Sequence, residues 1–248
     1  MNKFRFLIYS NVKRLLRKLF NIEVFSAVNT DPVDVISYIV GKRAIDCVVD
    51  GGAFRGEFTS KMLGHAKASH FHLFEPTPSS FNCLTNRFRE LSNVSVIHSA
   101  LSSSSGRCVF HLNTSQLTNS LLPEHENSRR YHGDLSLTQE VTEVSTISLD
   151  EYFLGSGRHL PNIIKLDLQG GEGEAIKGGY ECLRHASIVL CEVQFVELYQ
   201  GAMTFTDLNK VFESFGFQIY QIFDASRDRE SGRLLFCDIL YVKPEYLI

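Results

Sequence analysis

The apolar positions of the chain fall into two alternating kinds of run. Short, mostly apolar stretches, Ile45 to Val49, His70 to Phe74, Val94 to His98, Ile163 to Leu168 and Ser187 to Val193, suit strands buried on both faces of a parallel sheet. Between them, 31–42, Phe58 to Leu63, Pro78 to Leu91, Glu172 to about Leu183 and Thr206 to Phe215 read as helices. Pro78 opens one of these, and Gly64 and Gly216 close two others. Thr146 to Phe153 (TISLDEYF) predicts a further short helix capped by Ser148, and Arg107 to Leu112 a further strand. Phe217 to Phe223 and Leu235 to Val242 pair through the turn RDRESGR. The alternation predicts an α/β domain with a mostly parallel sheet and an antiparallel strand late in the chain.

Two stretches depart from this rhythm. From Asn113 to about Leu137 the sequence is polar and rich in Asn and Ser, and residues 113–145 read as an excursion over the active face, a lid or substrate loop. At the other end, residues 1–30 form a separate segment ahead of a domain spanning 31–248. Its first 20 residues hold Lys3, Arg5, Lys13, Arg14, Arg17 and Lys18 and no acids, with Phe4, Leu7, Ile8, Val12, Leu15, Leu16, Leu19 and Phe20 on one helical face. Such a helix packs its apolar face on the domain, or lies on an anionic membrane surface through residues 3–20. No apolar run there has signal-peptide or transmembrane length.

Composition narrows the classes further. A chain of 248 residues, 44% hydrophobic, fits one sizeable α/β domain. Its six cysteines include no C-x-x-C pair and its nine histidines no H-E-x-x-H, so neither a disulfide framework nor a preformed metal site is expected, and the usage is that of a cytoplasmic protein. A net charge of −3 argues against nucleic acid as the main partner.

The candidate chemistry centres on Ile45 to Thr59, IDCVVDGGAFRGEFT, a strand, a glycine turn and a helix start. Asp50, Gly51, Gly52 and Gly56 give D-x-G-x-x-x-G rather than the G-x-G-x-x-G of a dinucleotide site. An acid at that strand end suits a ligand that is cationic and rich in hydroxyls, and S-adenosylmethionine is both. Asp50, Glu75, Asp167 and Glu192 each stand at a strand's carboxyl end, where open α/β sheets bind ligands. Glu75, 25 residues after Asp50, occupies the place of an acid that accepts hydrogen bonds from ribose hydroxyls.

VVDGGAFRGEFT, HLFEPTPSSFNCL, VSTISLDEYF, IIKLDLQGGEGEAIKGG and IVLCEVQF together resemble, in order and spacing, the FkbM-type S-adenosylmethionine-dependent methyltransferases. The F-E-P-x-P element, Phe74 to Pro78, and the I-K-x-D-x-x-G-x-E element, Ile164 to Glu172, are the most specific parts. The resemblance implies a Rossmann-like class I methyltransferase fold with a mostly parallel seven-stranded sheet, S-adenosylmethionine as cofactor, and transfer to a hydroxyl, often on a sugar of a surface glycan, glycolipid or nucleotide-sugar. A polyketide or other small metabolite is the alternative acceptor, and a non-catalytic partner in a glycan-synthesis complex the alternative role. By the resemblance, Asp50, Gly51 and Gly52 belong to the cofactor turn, Gly56 to the helix approach, Glu75 to the ribose, and Ser99, Ala100 and Leu101 to the adenine. Asp167 faces the methyl group as candidate base, with Glu192 second. Two positions depart from the family pattern: Phe54 stands where Asn is usual, and Gln169-Gly170-Gly171 where Glu-Gly-Ala is common. Outside these motifs, Lys165 reads as a strand residue near an edge, and Tyr199 and Phe205 as candidate linings of the acceptor cleft.

Overall fold

The computed structural model describes residues 31–246, apart from Lys42 and 66–67, together with Lys18. The expected N-terminal helix over residues 1–20 lies outside the described residues, Lys18 excepted. From Asp31 onward the chain alternates as the hydrophobic pattern predicts. Helix α1 (Pro32–Val40) has Pro in its first turn and Asp31 as its cap, the carboxylate accepting from Val33 N at 2.9 Å. Strand β1 (Ile45–Gly51) leads to α2 (Glu57–His65), β2 (Ala68–Phe74) to α3 (Pro78–Phe88), and β3 (Val94–Ile97) to the short β4 (Ala100–Leu101). After β5 (Gly106–Asn113), α4 (Glu126–His132) and β6 (Thr138–Ile147) comes α5 (Leu149–Leu154).

 The α5 helix ends at Leu154 and is capped by Ser148, whose hydroxyl accepts from Glu151 N at 3.2 Å, as expected. Strand β7 (Ile163–Leu166), α6 (Glu172–Lys177), α7 (Tyr180–His185), β8 (Ile188–Gln194), α8 (Phe205–Ser214), β9 (Gln218–Arg227) and β10 (Leu234–Val242) complete the order.

Seven strands form one sheet in the order β3-β2-β1-β7-β8-β10-β9. Strands β1, β2, β3, β7 and β8 pair in parallel, and β10 runs antiparallel to both β8 and β9. This is the mostly parallel seven-stranded sheet with one antiparallel strand that the sequence led us to expect. Because side chains alternate across a strand, adjacent residues serve opposite cores. Val49 and Ile164 pack with Phe153, Ile176, Leu183 and Phe212 of α5 to α8 on one face. Val48 and Ile163 pack with Ile36, Met62, Leu84 and Phe88 of α1 to α3 on the other. The sheet is therefore covered on both sides, and its strands read as apolar runs for that reason.

Two expectations are corrected. The excursion over 113–145 is shorter and more ordered than its composition suggests, because Thr138–Ile147 is a ten-residue strand. It pairs antiparallel with β5 and parallel with β4 to form a second, three-stranded sheet. Most of its side chains are exposed or half-buried, so cross-strand pairing rather than an apolar face holds it in place, and no hydrophobic alternation marks it in the sequence. The intervening 114–137 carries two 3-10 turns, Gln116–Thr118 and Gly133–Ser136, besides α4.

The helix expected from Glu172 to about Leu183 is instead two, broken at Gly178 and Gly179. A Cβ on Gly178 would lie 2.2 Å from Ser102 O, so only glycine lets this turn approach the loop that follows β4. Buried Ala175, Ile176, Cys182 and Leu183 continue the apolar spacing across the break, which hides it from a periodicity argument. Gly178→Ala should lower stability by about 1–3 kcal/mol through overpacking, read as a lower urea midpoint at unchanged slope. An unchanged midpoint would show that the Ser102 segment yields freely.

Candidate functional site

The chain passes from β1 to β2 and β3 on one side and from β7 to β8 on the other, so the sheet reverses its strand order between β1 and β7. A crevice at the carboxyl ends of the strands is the usual ligand site at such a point. Here it is a cleft of about 330 Å³. Gly52, Phe54, Glu75, Ala100 and Leu101 line one part of it, and Asp167, Gln169, Glu192 and Phe236 another. Gln116 to Asn119 and Leu121 form a wall, so the polar excursion does border the cleft.

The glycine turn is pinned to the end of β2. Both Gly52 N and Ala53 N donate to Phe74 O at 3.1 Å. Gly52 has φ +68, and a Cβ there would fall 2.0 Å from Asp167 O, so no other residue fits. Phe54, at φ 48, takes the left-handed conformation that Asn tolerates better, and its N–H donates to Glu75 Oε2 at 2.9 Å. The other Glu75 oxygen accepts Thr77 N at 2.8 Å. Burial pushes the Glu75 carboxyl up, and these N–H bonds oppose the shift. Each Glu75 oxygen keeps lone-pair capacity beyond the one N–H it accepts.

Not every residue of the expected site reaches the cleft. Asp50 is buried beneath it, its Oδ2 accepting from Thr59 Oγ1 at 2.7 Å while Oδ1 accepts no hydrogen bond. Gly51 ends β1 under Leu101, and Gly56 packs against Leu84 and Phe88 of α3. Ala100 and Leu101 line the cleft, whereas Ser99 does not, its N–H turning back to Ile97 O. Of the strand-end acids, Glu75, Asp167 and Glu192 share the cleft.

Lys165 corrects the sequence reading most. Its strand lies between β1 and β8 in the middle of the sheet, and its side chain is only 12% exposed. The ammonium sits 3.4 Å from Asp50 Oδ1 and 3.4 Å from Asp167 Oδ2, and donates to Gly52 O at 2.9 Å and Gly51 O at 3.3 Å. Burial opposes its charge, but Asp167, Asp50 and Asp238 outweigh that and hold its pKa above the ordinary lysine value. The cue available in the sequence was a lysine between two acids that strand register brings together.

Further carboxylates crowd this end. Burial, reinforced by neighbouring negative charge, pushes Glu172 to about 7 and Asp238 to about 7. The same two causes hold Glu192 well above the ordinary glutamate value, its neighbours being Asp167, Glu172 and Asp238. Glu172 Oε1 accepts Leu168 N at 2.6 Å and so shapes the turn after Asp167. Asp238 stands opposite Glu192 in the β10–β8 register. Sequence reasoning missed Asp238 because it sits within a strand whose cleft-facing register only the fold reveals.

Other candidates fall elsewhere. His98 stacks on Phe81 and reaches Pro76 O at 3.1 Å, and Phe205 stacks on Phe195 within the core. Tyr199 is buried rather than lining the cleft, its hydroxyl donating to Gln169 Oε1 at 2.7 Å. Arg129 and Arg130 border a separate open groove with Glu124 and Gln200, and Arg129 pairs with Glu124 at 2.8 Å. Among the described residues no helix is long and apolar enough to cross a membrane.

A doubly wound sheet of this order with an acid- and glycine-lined cleft at its switch point is the architecture of Rossmann-like methyltransferases. The chain belongs to the FkbM methyltransferase family: the family's sequence model, "Methyltransferase FkbM domain", matches residues 50–219. It is 24% identical over 180 residues to the 2-O-methyltransferase NoeI of Sinorhizobium fredii, a match covering 68% of this chain and 71% of that one. It is 30% identical over 162 residues to the hexuronic acid methyltransferase AglP of Haloferax volcanii, covering 64% of this chain and 61% of the relative. The crystal structure of an FkbM methyltransferase from Methylobacillus flagellatus superposes with a TM-score of 0.51 at 16% identity, over 86% of this chain and 48% of that one. The chain thus spans about half the length of that solved relative, and the likeness shows a shared fold.

Lys165→Met should leave Asp50 buried without its cation and cost about 3–5 kcal/mol in urea unfolding. Burial raises the Asp50 carboxyl in the folded state, and more so once Lys165 is gone, so protonation relieves the unpaired charge. The deficit should therefore shrink as pH falls from about 8 to about 5, and adding Asp50→Asn should recover part of it at high pH. An equal deficit at both pH values would mean that Lys165 acts through packing alone.

Proposed function

We propose that this protein is an S-adenosylmethionine-dependent O-methyltransferase whose acceptor is a sugar hydroxyl. The observation that carries the reading is the division of one cleft: backbone at Gly52 and a buried carboxylate at Glu75 on one side, Asp167 and Glu192 on the other. The names of the two curated relatives, a 2-O-methyltransferase and a hexuronic acid methyltransferase, support methylation of a sugar.

The residues fit the cofactor. Gly52 presents backbone that a side chain would cover, Glu75 has lone pairs for ribose hydroxyls, and the carboxylates suit a cationic centre. When bound, S-adenosylmethionine supplies a methyl group already activated on a sulfonium. The chain's contribution is to hold the acceptor oxygen in line and take its proton. Alignment alone supplies many kcal/mol. Asp167 is the proposed base, accepting the hydroxyl proton at a carboxylate oxygen; Lys165 at 3.4 Å and Gln169 Nε2 at 2.9 Å fix its orientation. Glu192 borders the same space and bonds to the same amide at 3.0 Å. Phe110, Leu117 and Leu121 give the opposite wall an apolar surface for the body of an acceptor and for excluding water.

Calorimetric titration tests the donor half of the reading. S-adenosylmethionine and S-adenosylhomocysteine should both bind and NAD should not. Glu75→Ala should weaken both sulfur ligands by about tenfold or more, the worth of a hydrogen bond to a charged group. Transfer of labelled methyl to a panel of sugars and sugar nucleotides tests the acceptor half. With an acceptor in hand, Asp167→Asn should lower kcat by roughly 10²–10⁴. Full activity in that variant would remove Asp167 from the role of base.

A further inference from the structure

Gln169 occupies a costly position. Its φ is +53, a conformation that a non-glycine residue holds only when its surroundings enforce it. The enforcement is visible on every polar atom of the side chain. Nε2 donates to Asp167 Oδ1 at 2.9 Å and to Glu192 Oε2 at 3.0 Å. Oε1 accepts from the Tyr199 hydroxyl at 2.7 Å, and the backbone carbonyl accepts from Ser120 Oγ at 2.7 Å. The two carboxylate oxygens fix which end of the amide is nitrogen, and the Tyr199 hydroxyl, which also reaches Thr118 O at 3.3 Å, meets the other end. Turned the other way, the amide would aim its oxygen at two carboxylates.

The charges facing this unit come from every strand around it. Glu75 follows β2, Asp50 lies on β1, Lys165 on β7 with Asp167 just past its end, Glu172 at the start of α6, Glu192 on β8, Asp238 on β10 and Asp224 on β9. Lys165 is the cation among them, and its ammonium is already engaged by Asp50, Asp167 and two carbonyls. Among the residues that line the cleft, Glu75, Asp167 and Glu192 are acids and none is Lys, Arg or His. A sulfonium donor and its thioether product differ at the reacting sulfur by one methyl group and one positive charge, and the charge is the feature such a cleft can read.

We propose that Gln169 is a positioning residue which, by holding Asp167 and Glu192 around one amide, makes the cleft prefer the cationic methyl donor to the thioether product. This rests on the reading of the cleft as the site for S-adenosylmethionine. A cation seated against these carboxylates competes with protons for them. Of the acids that line the cleft, Glu192 is held well above the ordinary glutamate range by burial and by the charges of Asp167, Glu172 and Asp238, so the donor displaces protons there while the product does not. Donor affinity consequently rises with pH and product affinity stays nearly flat.

The test is calorimetric titration of the full chain with S-adenosylmethionine and S-adenosylhomocysteine at three pH values spanning about 6 to 8. For the wild type, the preference for donor over product should rise by about tenfold across this range, the effect of about half a proton displaced on average over two pH units. Gln169→Leu should lower the preference by about tenfold at the upper pH and flatten its pH dependence. Tyr199→Phe, a milder change that frees the amide to rotate, should lower it by about threefold. If the product binds but the preference ignores both pH and the two substitutions, the proposal is overturned while the reading of the cleft stands. If Gln169→Leu does not fold, an unchanged preference in Tyr199→Phe overturns it alone. Failure of the wild type to bind either ligand removes the reading of the cleft, and the proposal with it.

Discussion

One buried ammonium organises this end of the sheet. Lys165 stands at the seam where β1 and β7 pair, and it ties together the acid beneath the turn, Asp50, the acid at the cleft, Asp167, and the carbonyls of Gly51 and Gly52. A buried charge is tolerated only when it is paired and hydrogen-bonded; Lys165 and Asp50 pair with each other, and their hydrogen bonds go to the glycine carbonyls and from Thr59. The glycine turn, which brings backbone to the cleft, and the strand that carries Asp167 are thereby fixed by one side chain.

The rest of the cleft is built by approach of backbone rather than by reach of side chains. Gly52 meets the carbonyl of Asp167, Phe54 offers its N–H to Glu75, and Glu172 holds the N–H of Leu168 from below. Positive φ values at Gly52, Phe54, Gln169 and Gly170 cluster in these two turns. Strain of this kind persists where the surroundings over-determine it, and here hydrogen bonds to Phe74 O, Glu75 and Tyr199 do so.

Much of this could be read from the chain before any coordinates. The alternation of strands and helices follows from apolar runs separated by helical periods, and the strand-end acids Glu75, Asp167 and Glu192 follow from the rule that open sheets bind ligands at their carboxyl ends. Lys165, Asp238 and Tyr199 were not legible, because their meaning depends on which strands become neighbours, and neighbours β7 and β1, or β8 and β10, are far apart in sequence. Strand β6 was missed because its stability comes from pairing with β5, which leaves no apolar signature. The break at Gly178 was hidden because apolar residues keep their spacing across it. Gln169 looked like the loss of a carboxylate; in space it is a donor shared by two others.

The wall formed by Gln116 to Leu121 is carried on the connection between β5 and β6, and those strands belong to the small sheet. Hydrogen bonds from Ser120 Oγ to Gln169 O and from the Tyr199 hydroxyl to Thr118 O tie it to the opposite side of the cleft. Insertions or deletions in this connection can therefore remodel one side of the cleft while leaving the Lys165 seam and the two cores untouched. A lineage built on this plan can diversify what it accepts by rewriting a single loop, with the machinery on the opposite wall inherited unchanged.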